Sequence, residues 1–106
     1  MNDNTNELLK IDKALENAIK TAVNGQYDKL ENEYFFEFSG ESEFIASVQE
    51  DTIDFKLVTM KWVPGNYEPL LGSELYLRIS LKELSGLTEE EIFKSLLLSI
   101  GKLEKN

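Results

Sequence analysis

The chain contains no histidine and no cysteine. Those two absences remove the side chain most often used as a general base near neutral pH and the thiol nucleophile. They also exclude disulfides and any zinc site built on nitrogen or sulfur ligands. Proline is scarce, with both copies inside WVPGNYEPLLG, residues 62–72. The six glycines match neither a dinucleotide fingerprint nor a P-loop, and no calcium-binding EF-hand loop is present. Long apolar runs are missing: LLLSI after Ser95 is far too short to cross a bilayer. The opening MNDNTNELLK lacks the basic-then-apolar layout of a secretion signal, so cytoplasmic residence without a membrane partner is expected. Paired carboxylates could hydrolyse glycosides, but here they fall on turns and a strand face with no evident cleft. The expectation is a protein that is not an enzyme, with no cofactor and no metal.

What the chain has in abundance is carboxylate, and in one place. It carries 20 acids against 11 bases over 106 residues, net −9. Residues 1–27 are net −1 and residues 55–106 are neutral. Residues 28–54 hold Asp28, Glu31, Glu33, Glu37, Glu41, Glu43, Glu50, Asp51 and Asp54 against Lys29 alone, net −8. Solubility needs no such concentration. A surface of that sign repels phosphate, which argues against direct nucleic-acid binding.

With 42% hydrophobic residues the chain has ample material for one core, and residues 1–106 read as a single domain. Leu8, Ile11, Leu15, Ala18, Ile19 and Ala22 recur at helical spacing, predicting a helix over about 6–23, capped by Thr5 or Asn6 and stopped at Asn24-Gly25. Thr88 and Glu91 form a capping box ahead of Ile92, Phe93, Leu96, Leu97, Ile100 and Leu103, predicting a second helix over about 88–103. Between them the apolar period is two. Strands are expected at about 33–39, 43–49, 52–62 and 73–81. The fold class is therefore α+β: an N-terminal helix, a four-stranded antiparallel sheet and a C-terminal helix, with both helices on one face.

The turns predict the register. A three-residue loop at Gly40-Glu41-Ser42 sets Ser39 opposite Glu43, and a two-residue loop at Glu50-Asp51 sets Gln49 opposite Thr52. The apolar alternates then share one face. The other face carries a row Phe35, Ser47, Asp54 and a row Glu37, Ile45, Lys56, flanked by Glu33 and Gln49. Glu41 and Glu43 extend the charge at one end, and Glu50 and Asp51 at the other. An aromatic among like charges has the makings of an interface anchor with a steering rim, so Glu33, Phe35, Glu37, Glu41, Glu43, Glu50, Asp51 and Asp54 are the expected partner-binding residues. Trp62 and Tyr67 are secondary candidates, or a satellite cluster closing the sheet edge. Apolar parity switches from Ile53-Phe55-Leu57 to Val58-Met60-Trp62. That implies either a bulge near residue 58 or a second covered face, as in a homodimer.

In size, acidity and the aromatic-acidic pattern of residues 28–54, the chain resembles the immunity proteins of bacterial toxin systems, contact-dependent inhibition among them. That resemblance implies tight binding to a basic toxin nuclease domain. The segment ELYLRISLKELSGLTEEEIFKSLLLSIGKLEK, residues 74–105, is similar to the strand-then-helix ending of type III secretion chaperones. This second resemblance implies a dimer that holds an extended client segment. The expected partner is a basic protein, with a toxin domain the leading class and a chaperone client the alternative.

Overall fold

The computed structural model describes residues 3–38, 42–63 and 66–104, and side-chain surroundings for 6–38, 43–58 and 72–104. Helix α1 spans Asp3–Ala22, followed by strands β1 (Tyr27–Leu30), β2 (Glu33–Phe38), β3 (Ser42–Val48), β4 (Thr52–Val63) and β5 (Asn66–Ser80). A single-turn helix α2 (Leu81–Leu84) then leads to α3 (Glu89–Glu104). The strands form one antiparallel sheet in chain order, β1-β2-β3-β4-β5. The α+β class is as expected; the sheet has five strands rather than four.

Helix α1 starts three residues before the expected position, so neither Thr5 nor Asn6 is its cap. It stops where expected. Asn24 and Gly25 take positive φ of 54° and 79°, and the Gly25 amide donates to the Lys20 carbonyl at 2.7 Å, a left-handed C-terminal stop. At α3 the capping box closes reciprocally. The Glu91 amide donates to Thr88 Oγ1 at 3.1 Å, and the Thr88 amide to Glu91 Oε1 at 2.9 Å. Those bonds hold the Glu91 carboxyl below its ordinary range.

One buried cluster joins the helices to one side of the sheet. Ile11, Leu15, Ala18 and Ile19 of α1 and Ile92, Leu96, Ile100 and Leu103 of α3 meet Tyr34, Phe36, Phe44, Ala46, Ile53 and Phe55. Each large apolar side chain buried there contributes roughly 1.5–3 kcal/mol. Leu8, expected in the stripe, is instead 41% exposed at the helix edge. Lys10 Nζ ties α1 to the carbonyl of Leu87, just before α3, at 2.9 Å.

The β3–β4 register is the expected one, with Val48 opposite Ile53, Ala46 opposite Phe55 and Phe44 opposite Leu57. The β2–β3 register is displaced by two residues. Phe38 pairs with Ser42, and Glu43 faces Glu37 rather than Ser39. Residues 39–41, which include Ser39 and Glu41, lie outside the described residues. The expected bulge near residue 58 is not in β4, where Val58 keeps regular register opposite Glu43 and so lies on the outer face; the irregularity is in the neighbouring strand. Phe55 pairs with Leu77 and Lys56 with Leu75, so Tyr76 is an extra residue in β5. The bulge lets Tyr76 pack its ring edge-on to Phe44, centroids 5.8 Å apart, on the helix side.

Strand β3 ends opposite Val58. Beyond that point β4 and β5 continue to pair with each other as a ribbon, from the Thr59–Gly72 pair to Val63–Asn66. The molecule is accordingly long, 55 × 27 × 19 Å. Its radius of gyration is 15.0 Å, against about 13 Å for a compact chain of this length. Among the described residues no helix is long and apolar enough to cross a membrane.

Candidate functional site

Period-two alternation sends Tyr34 and Phe36 to the helices and their neighbours Glu33, Phe35 and Glu37 to the other side. The outer face is built from three rows. The first reads Asp28, Phe35, Ile45, Lys56, Leu75. Phe35, Ile45 and Lys56 are half-buried and Leu75 is exposed, so apolar side chains of β2, β3 and β5 make a shallow stripe, interrupted by Lys56 and ended by Asp28. On one side of it lie Glu37, Glu43, Val58 and Ser73. On the other lie Leu30, Glu33, Ser47, Asp54 and Arg78. At the β1 end the stripe opens into a concavity of about 430 Å³ lined in part by Gly25, Gln26, Asp28, Phe35, Glu37 and Glu43.

Four carboxylates frame this stripe: Asp28, Glu33, Glu37 and Glu43. None of them makes a hydrogen bond or ion pair with another described residue. Glu37 and Glu43 stand directly opposite each other across two strands, an arrangement that destabilises a sheet. The one lysine of the acidic segment does not relieve them. Lys29 points to the helix side, 3.7 Å from Glu16 Oε1 and over the Tyr34 ring. Lys56 supplies a counter-charge within the stripe, while Arg78, in the row of Glu33, is taken up by Asp54.

Acids elsewhere behave differently. Asp12 accepts from the Tyr34 hydroxyl at 2.9 Å, and burial with that bond raises the phenol far above its ordinary value. Glu16 accepts from the Tyr27 hydroxyl, which raises the Tyr27 phenol as well. Asp54, expected as part of the steering rim, is 4% exposed. The Arg78 fork closes on it, Nε to Oδ1 at 2.8 Å and Nη2 to Oδ2 at 3.0 Å, and Thr52 Oγ1 donates at 2.9 Å. These bonds, Arg78 first, hold its carboxyl below the ordinary value. Asp54 is a satisfied structural acid and leaves the site.

Of the expected site residues, the structure gathers Glu33, Phe35, Glu37 and Glu43. Glu50 and Asp51 sit exposed on the β3–β4 turn, beyond the Val48–Ile53 end of the sheet, and do not adjoin the stripe. Glu41 and the side chains of Trp62 and Tyr67 fall outside the described residues; the backbones of the latter two lie in the ribbon. Ser47 pairs with Glu33 rather than Phe35 and is buried. Sequence reasoning missed Asp28 and Leu75. The signal for Asp28 was the Tyr-Asp-Lys-Leu alternation ahead of Glu31-Asn32, a tight turn in which Glu31 takes φ of 55°.

The face can take up cationic and apolar groups together; the one described acid on it with a shifted pKa, Asp54, is already closed by Arg78. Among the described residues no group of three or more histidine, cysteine, aspartate or glutamate side chains could hold a metal ion. No family model, curated protein or solved structure matches the chain.

Proposed function

We propose that the chain is a non-enzymatic binding protein that neutralises a basic protein by docking it on the outer sheet face. The observation that carries this reading is the contrast in partnering. Acids on the helix side find donors, whereas Asp28, Glu33, Glu37 and Glu43 surround Phe35 and Ile45 without any. Folding gains nothing from carboxylates held in that state, and Glu37 opposite Glu43 costs stability. A cationic surface would satisfy them, with Phe35 as the apolar anchor and the rim setting the association rate. Nuclease toxin domains fit this chemistry, because a protein that handles polyanionic substrate exposes basic residues around its active site. Cytoplasmic residence belongs to the same reading.

The second reading, a chaperone for an extended client, draws on β5, a 15-residue strand at the sheet edge open to strand addition. A photo-crosslinking side chain at Phe35, compared with one at Leu98 on α3, decides between surfaces in the cells that make the protein. Leu98 is 73% exposed and serves as the control. The expected result is one basic protein captured at position 35 and absent at 98. Identical products at both positions, or an acidic product at 35, would remove the docking face.

A further inference from the structure

The first apolar residues of α1 are two consecutive leucines, and the fold buries neither. Leu8 is 41% exposed and Leu9 59%, whereas Ile11, Ala14 and Leu15, within the next two turns, are sealed in the core. The two leucines line a groove of about 310 Å³ with Asp12 of the same helix, Asn32 of the β1–β2 turn, and Val48 and Gln49 at the end of β3. Val48 pairs with the buried Ile53, so the groove lies on the helix side of the sheet, at the end where β3 turns into β4. It is separate from the acidic stripe on the outer face. One wall of it is charged. Glu31 precedes Asn32, and Glu50 and Asp51 follow Gln49. All three are exposed, and none of their side chains makes a hydrogen bond or ion pair with another described residue. The α1 wall carries the opposite sign, with exposed Lys13 one turn beyond Leu9.

We infer that this groove docks a basic amphipathic helix of a protein partner. Aliphatic side chains of that helix pack on Leu8, Leu9 and Val48, and its lysines or arginines face Glu31, Glu50 and Asp51. Size, walls and charge select this occupant. A volume of about 310 Å³ is at the small end for pockets that enclose a whole small molecule, and it suits a few aliphatic side chains. The walls are a helix, a turn and the end of β3, which is paired on both sides. An extended peptide finds no strand edge there, whereas a helix arrives with its backbone bonds already made and offers apolar anchors at successive turns. The carboxylates of the strand-end wall call for cations on the flank of the helix that meets them. Glu50 and Asp51, which the outer face does not use, thereby gain a role. The inference stands or falls independently of the outer-face reading.

Fluorescence anisotropy of the full chain with a labelled synthetic peptide provides the test. The peptide has about 18 residues of leucine and lysine, spaced to give one apolar helical face. It should bind at physiological salt. A scrambled peptide of the same composition, and one with glutamate in place of lysine, should bind about tenfold more weakly or worse. Leu8→Gln with Leu9→Gln, exposed positions where glutamine preserves the helix, should weaken binding about tenfold with unchanged circular dichroism. Glu50→Lys with Asp51→Lys should also weaken it, without any change in α1. Glu37→Lys with Glu43→Lys on the outer face should leave it as it was. Absence of binding, or equal binding of the scrambled peptide, would overturn the inference. So would a loss confined to the Glu37 and Glu43 variant, which would put the peptide on the outer face and leave that reading standing.

Discussion

The two sides of β2 are made from six consecutive residues, yet they have little in common. Towards the helices, Tyr34 and Phe36 are 0% and 3% exposed, and the one polar atom brought in, the Tyr34 hydroxyl, meets Asp12. Away from them, Glu33, Phe35 and Glu37 share a surface where an aromatic is half covered and two carboxylates have no partner among the described residues. The inner side is fully satisfied within the molecule. The outer side carries like-charge repulsion and exposed apolar area. The acidity that looks diffuse along residues 28–54 is thus sorted by the pleat onto one surface, and even its lysine is sent to the opposite one.

The largest expected effect compares adjacent aromatics. Phe36→Ala should cost about 3–5 kcal/mol of folding stability through the cavity it leaves between β2, Phe44 and the helices. Phe35→Ala should cost about 1 kcal/mol, in keeping with its partial burial. Urea denaturation measures both, and equal losses would mean that the two sides of the sheet are alike.

An intermediate effect belongs to the one acid of the outer side that is internally satisfied. Asp54→Ala should cost about 2 kcal/mol near neutrality, since three hydrogen bonds from Arg78 and Thr52 are lost. The folded-state pKa of Asp54 lies below its ordinary value. Its contribution is therefore present above the ordinary carboxylate range and is lost as pH falls through the folded value. The penalty should shrink below about pH 4. A penalty flat from pH 7 to pH 3 would show that packing, not the ion pair, holds that corner.

The smallest effect has the opposite sign. Glu43→Lys turns the repulsive pair with Glu37 into an attractive one, so thermal melts should show a gain of a few tenths of a kcal/mol. The same change should slow association with a basic partner. A loss of stability would reveal a compensating role for Glu43 within the fold.

These contrasts were legible in the sequence to different depths. The assignment of residues to inner and outer sides could be read from alternation alone, because Tyr34, Phe36 and Phe38, then Phe44, Ala46 and Val48, then Ile53, Phe55 and Leu57 put an apolar residue at every second position, even though Phe35 and Ile45 are apolar on the other side. The same property hides the β2–β3 register. A shift of two residues leaves each side chain on its side while changing its neighbours, so nothing in the pattern separates Phe35 beside Ser47 from Phe35 beside Ile45. Strand β1 escaped because four residues with two charges carry too little periodicity. Asp54 was misread for another reason: its charge was visible, but the arginine that cancels it lies 24 positions away, across a register fixed by the bulge at Tyr76. The early start of β5 was masked by its proline and glycine, which read as a connection rather than as the returning half of a ribbon.

The packing of α1 against α3 has a consequence for the order in which the molecule can be made. All five strands are joined to their sequence neighbours by short connections, so sheet pairing needs only local encounters and can proceed as the chain emerges. The core cannot. Ile92, Leu96, Ile100 and Leu103 reach the cluster last, and until they arrive Phe36, Phe44 and Phe55 have half a cover. Synthesis therefore passes through a stage in which a formed meander presents an open aromatic surface, and α3, translated after all five strands, is the helix that seals it. A chain truncated before residue 88 should bind chaperones avidly, and one extended by roughly 16 further residues, the length of α3, should not.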